Sequence, residues 1–159
     1  MGTLASLSTE DVLERVLGSG VPGHGDVHAA MAAASDAAWE VTSPRLLELC
    51  RVRIAMLLGA EAEVAARMSV SGVEEGADDD LLAALASWPT DPRFTAADRA
   101  CLAFTEHWVM DVASLDYDTA ADVRACIGDE GLQNFAGALL VVEQRIRLRL
   151  VWDRLFGGS

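Results

Sequence analysis

Ser43-Pro44-Arg45-Leu46-Leu47-Glu48-Leu49-Cys50-Arg51-Val52-Arg53-Ile54-Ala55-Met56-Leu57-Leu58-Gly59 is the stretch that decides the fold. Serine followed by proline marks a helix start. The hydroxyl can accept from an orphan N–H, and proline at the first helical position forfeits no hydrogen bond. Leu46, Leu47, Cys50, Ile54, Leu57 and Leu58 then recur at offsets that keep one helical face apolar. Gly59 is the expected stop, or a kink if the helix runs on.

The flanks read the same way. Upstream, Ser8 with Glu10 and Asp11 predicts a short helix to Gly18, followed by a glycine-rich loop to Gly25. Asp26 predicts the start of an alanine-rich helix to about Val41. Downstream, 72–80 is acidic and turn-like, and 80–87 is a short helix with Leu81, Leu82 and Leu85 inward. Trp88-Pro89-Thr90-Asp91-Pro92 stops it. Thr95 and Asp98 form a capping box that opens a helix carrying Cys101, Leu102, Phe104, Thr105, Trp108, Val109 and Val112. Asp116 to Thr119 starts another helix, ending at Gly128. Asp129 caps a long last helix to about Leu155, and Gly157-Gly158 closes it. Within it, 143–154 alternates charged and apolar residues, a strand period, but no breaker interrupts 129–157. On a helix, that alternation turns some of Arg145, Arg147 and Arg149 toward protein, where carboxylates would meet them. Hairpin dipeptides flanked by alternating apolar residues are missing. The expected class is all-α, about seven helices, one domain over residues 1–159.

Composition narrows the function. The chain has 159 residues, 52% apolar and 23% charged, with a net charge of −13. That apolar share supports a packed core rather than disorder. All twelve basic residues are arginine, which excludes lysine Schiff bases and P-loop lysines. So acidic a chain is a poor partner for nucleic acid or an anionic membrane. Apolar runs such as Ala136–Val142 fall far below the ~20 residues that cross a bilayer. The N-terminus lacks the basic start of a secretory leader. The three cysteines, Cys50, Cys101 and Cys126, form no Cys-x-x-Cys pair. Buried thiols in a reducing cytoplasm are the expectation.

Two further stretches join the first. Pro44 through Arg67, then Trp88-Pro89-Thr90-Asp91-Pro92-Arg93-Phe94-Thr95-Ala96-Ala97-Asp98-Arg99-Ala100-Cys101-Leu102-Ala103-Phe104, then the apolar helix 132–152, occur in an order and spacing that resembles the carboxymuconolactone decarboxylase family, the AhpD-like (alkylhydroperoxidase) superfamily. The resemblance implies an AhpD-like helical bundle with a family core over 41–156 and an N-terminal helical extension over 1–40. It also implies a homo-oligomer, a trimer or hexamer. Redox members carry Glu–x11–Cys–x2–Cys–x3–His. Here that register falls on Glu48, Ala60, Glu63 and Arg67, so only the glutamate is kept. The thiol peroxidase route of the family is expected to be absent.

What remains in register is ionisable oxygen and guanidinium: Glu48, Glu61, Glu63 and Arg67. Glu63 and Arg67 are spaced i,i+4, as a surface ion pair would be. A carboxylate in a helix-lined pocket is also a candidate general acid or base, and an arginine beside it could hold a carboxylate or enolate. Glu48 and Arg51, three apart, are expected to pair. His107 lies four residues before Asp111, the spacing of a carboxylate-oriented imidazole, and Trp108 beside it is a core residue or a ligand platform. The catalytic candidates are Glu48, Glu63, Arg67 and His107, with Glu61, Arg51 and Trp108 as substrate contacts. His24, Asp26 and His28 have a spacing that could hold a metal, but glycines surround His24 and an incidental role is expected. No cofactor or metal is assigned.

These residues favour a cofactor-free lyase, isomerase or cyclase acting on a small molecule. The alternative is a non-catalytic oligomeric binding or scaffold protein on the same fold. A third reading is an antioxidant peroxidase using Cys50, Cys101 or Cys126 in another arrangement.

Overall fold

The structure is a computed structural model that describes residues 24–67 and 77–156. The expected helix from Ser8 to Gly18 lies outside them. Six helices occur among the described residues, and no strand. They are α1 (His24–Val41), α2 (Pro44–Leu58), α3 (Glu61–Ala65), α4 (Asp79–Ala83), α5 (Ala96–Met110) and α6 (Tyr117–Phe156). Short 3-10 turns at Leu85–Ser87 and Val112–Ser114 follow α4 and α5. None of these helices is long and apolar enough to cross a membrane.

The boundaries follow local chemistry. The Ser43 hydroxyl accepts from the Leu46 N–H at the start of α2, with Pro44 behind it. Gly59 ends α2 in the left-handed region (φ 67°, ψ 32°), where its N–H reaches the Ala55 and Met56 carbonyls. At α5, the Thr95 hydroxyl accepts from the Asp98 N–H (3.1 Å) and the Asp98 carboxylate accepts from the Thr95 N–H (2.8 Å). Arg99 pins the approach to this cap by donating to the Asp91 and Phe94 carbonyls, each at 2.6 Å. The long α6 is broken at Gly128 (φ 81°, ψ 174°), so 117–127 and 129–156 are two helical stretches, as the sequence reading expected.

α2 is the axis of the molecule. It packs against α5 and α6, meets α1 at one end, and carries α3 folded back on it. Every residue from Leu46 to Val52 is buried, polar ones included. Leu47, Leu49 and Ile54 meet Leu102, Phe135, Leu139 and Ile146 in one core. Phe104 lies between Trp108 and Phe135, with ring centroids at 6.0 and 5.9 Å. α1 lies along α6 and contributes Ala38 and Trp39 to the same core.

Two ion pairs fix the direction of α5. Arg45 grips Asp98 with two hydrogen bonds of 2.7 and 3.0 Å, and Arg53 donates to Glu106 at 2.7 Å. Both pairs span 53 residues. A constant offset at two points eight residues apart, about 12 Å of helix, means that α2 and α5 run parallel and in register.

Candidate functional site

Three of the proposed residues converge. Arg51 sits mid-way along α2, one turn after Glu48. Its Nε donates to Glu48 Oε2 at 2.7 Å and its Nη2 to Glu48 Oε1 at 2.8 Å, a bidentate fork. The reversal at Gly59 brings α3 back over the same face, and the Ala60 N–H bonds to the Ala55 carbonyl to hold the turn. Glu63 on α3 then faces Arg51. Arg51 Nη1 donates to the Glu63 carbonyl at 2.8 Å and to Glu63 Oε2 at 3.4 Å, and Nη2 also reaches the Ala66 carbonyl at 2.8 Å. A guanidinium has five N–H donors, and these five acceptors take all of them. Glu48, Arg51 and Glu63 are 5%, 3% and 5% exposed.

Beside this cluster is a small hollow walled by Ser35 and Trp39 of α1, Arg51, Glu63, and Val142, Arg145 and Ile146 of α6. Its volume is about 20 Å³, room for a single water molecule. Burial pushes the Arg145 guanidinium below the usual arginine range. On the far side of the α2–α3 turn, Ala55, Met56, Gly59, Ala60, Glu61, Val64 and Ala65 line an open depression of about 450 Å³. Its one charged side chain is Glu61, which is exposed.

No family model matches this chain, and no curated protein or solved structure matches it.

The other proposed residues are not in the cluster. Arg67 does not pair with Glu63. It is exposed, donating to Asp79 at 2.9 Å and to the Val64 and Ala66 carbonyls. The reason is local: α3 ends at Ala65, and Ala66 is extended (ψ 144°), so positions 63 and 67 no longer share a helical face. Glu63 meets Arg51 instead. His107 is half-buried in the last turn of α5, with Nδ1 3.0 Å from the Ala103 carbonyl. Asp111 leaves the helix (φ −156°), which removes the i,i+4 geometry expected for a His107–Asp111 pair. Trp108 packs on Phe104, and its Nε1 donates to Glu143 Oε2 at 2.9 Å. It is part of the packing between α5 and α6. The side chains of His24 and His28 lie outside the described residues.

Further polar links were not anticipated. Glu106 accepts from both Arg53 and Trp88 Nε1, each at 2.7 Å, tying the 88–92 turn to α2 and α5. Asp98 serves its cap and Arg45 together. Burial raises the Asp98 carboxyl, but the Arg45 and Thr95 hydrogen bonds outweigh it and hold the group below the usual range. A signal for these pairs exists in the sequence: Arg45 and Arg53 on one helix match Asp98 and Glu106 on another, each pair eight apart. The thiols are all free. Burial raises the Cys50 thiol far above its ordinary value, and that of Cys101 is pushed up to about 12, while Cys126 is exposed.

Proposed function

We propose that this chain is a carboxymuconolactone decarboxylase-like protein of AhpD-like fold without a catalytic centre, acting as a cytoplasmic, self-associating binding or scaffold protein. The observation that carries the reading is the saturation of Arg51. A guanidinium that gives every donor to Glu48, Glu63 and Ala66 has none left for a substrate carboxylate or enolate. The hollow beside it admits one water, whereas small-molecule pockets run to several hundred Å³. Arg67, the other cation expected there, is on the surface. The free thiols and the buried state of Cys50 and Cys101 support the location and argue against thiol chemistry.

A second reading rests on the wall of that hollow. Ser35, Trp39, Glu63 and Arg145 combine a hydroxyl, an aromatic face, a carboxylate and a guanidinium, the equipment of an acid–base lyase or isomerase. It requires α3 to swing outward. One experiment separates the two. Thermal unfolding is followed with a panel of small carboxylic acids and unsaturated lactones, and each compound is assayed for turnover. The first reading expects no shift in Tm and no turnover. A compound that raises Tm and is converted by the wild type but not by Glu63→Gln overturns it in favour of the second.

A further inference from the structure

The stretch 134–154 of α6 is enclosed on nearly every side. Even Glu143, Arg145 and Arg149 are buried, at 7%, 8% and 3% exposure. What it shows to solvent is a narrow line: Gly137, Leu140, Gln144, Arg147, Val151 and Arg154. Their spacings are 3, 4, 3, 4 and 3. A line of one exposed residue per 3.5 positions is the seam of a two-helix coiled contact, narrower than the broad polar face of an ordinary surface helix.

The chemistry of the seam sets it apart. The chain has 25 acidic and 12 basic residues, yet these six positions include no carboxylate and two arginines. Leu140 and Val151 are each 50% exposed. Gly137 has no side chain to hold a facing helix away. Arg147 gives Nε and Nη2 to Glu143 Oε1, so Nη1 points away from that pair.

We infer that this seam pairs antiparallel with the same seam of a second copy, about a two-fold axis between positions 145 and 146. The inference rests on the self-associating reading above and names its surface. In this register Leu140 faces Val151 of the partner subunit, and Gln144 faces Arg147 of the partner subunit. Two apolar pairs then flank a polar centre in which the Gln144 side-chain carbonyl accepts from the facing guanidinium. Gly137 opposes Arg154 of the partner subunit, whose long stem lies across the gap. Self-complementarity is what a two-fold contact demands, because each pair occurs twice. Two chains of charge −13 repel over most of their surfaces. They approach at least cost along a line free of acids. Eighteen residues from Gly137 to Arg154 span about 25 Å, and two such faces with their flanks cover on the order of 1,000 Å², the lower bound of a specific interface.

The test is light scattering on the whole chain, with two sets of variants. The wild type is expected to have an even multiple of 16.9 kDa. Leu140→Glu with Val151→Glu places like charges in both apolar pairs and is expected to weaken association about a hundredfold or more. Its circular dichroism should match the wild type, since both positions are exposed. In a Cys126→Ser background, Leu140→Cys with Val151→Cys is expected to give a covalent dimer on mild oxidation. Either single cysteine variant is not, because like positions lie about 16 Å apart along the axis. A monomeric wild type overturns both the seam and the self-associating reading. An oligomer of odd size, or one indifferent to the glutamates and without the double-cysteine crosslink, overturns the seam alone.

Discussion

Replacing Arg51 with alanine isolates the energetics of the central cluster. The change leaves the Glu48 and Glu63 carboxylates, each 5% exposed, without the cation between them. It also removes one donor from each of the Glu63 and Ala66 carbonyls. Breaking a buried pair on one side costs about 3–5 kcal/mol, because the remaining charge stays buried without that countercharge. For a chain of this size each kcal/mol moves Tm by about 2–4 °C, so Arg51→Ala is expected to lower Tm by roughly 6–20 °C. Urea unfolding followed by circular dichroism gives the same quantity as a shift in midpoint at constant slope. The informative control is Glu48→Leu, Arg51→Met and Glu63→Leu together, which removes all three charges and keeps most of the volume. It is expected to lie within about 2 kcal/mol of the wild type, since apolar replacements of buried ion clusters are often neutral or better. A loss below about 1 kcal/mol for Arg51→Ala would refute the claim that the cluster is buried and desolvated. A triple variant as weak as the single would assign the loss to the two carbonyls, and the charges would then be incidental.

Three other perturbations read separate parts of the structure. Asp98 has a depressed carboxyl, so its contribution is present above the unfolded value near 3.9 and is lost as pH falls through the lower folded value. Asp98→Asn is expected to lose about 1–2 kcal/mol at neutral pH and to show a shallower decline between pH 5 and pH 2, measured as urea midpoints against pH. With a disulfide reagent under native conditions, one thiol is expected to react, that of Cys126, with Cys50 and Cys101 following only in denaturant; fast reaction of more than one would contradict their burial. Gly128→Ala is expected to cost about 1–3 kcal/mol by urea unfolding, because φ 81° with ψ 174° is a region almost confined to glycine and a Cβ there meets nothing within 4 Å, so the loss is backbone strain alone.

The starts and stops of helices were legible because they are local. Ser43-Pro44, Gly59, Thr95 with Asp98, and Gly128 each act on the backbone within a few residues, and each stands where the sequence put it. The fate of charged side chains was not, because it depends on which faces of a helix are covered. Periodicity gave α2 one apolar face, but α1, α3 and α6 also enclose Arg51 and its partner Glu48. The Glu63–Arg67 expectation failed at Ala65-Ala66, where the chain turns extended although alanine is the best helix former. No residue there announces the turn. It is set by Arg51, which draws the Glu63 and Ala66 carbonyls to a single guanidinium. A long-range contact overrode a local preference.

The same guanidinium bears on whether the slot can open. A ligand larger than water needs a wall of the hollow to move, and α3, which carries Glu63, is the shortest helix that forms one. Displacing α3 breaks the Arg51 bonds to the Glu63 carbonyl, to Glu63 Oε2 and to the Ala66 carbonyl. It leaves the Glu48 half of the fork in place, with two guanidinium nitrogens losing acceptors inside the fold. A ligand carrying acceptor oxygens, anionic or neutral, could take those vacated donors, whereas apolar matter would leave them unsatisfied at about 1–3 kcal/mol each. The opening thus selects its own occupant. Amide hydrogen exchange of 61–66 measures the cost without any ligand. Slow exchange there, at the level of the α2 core, marks α3 as a fixed wall and the cluster as a staple. Fast exchange in 61–66, with α2 still protected, marks α3 as a gate and returns the slot to chemistry.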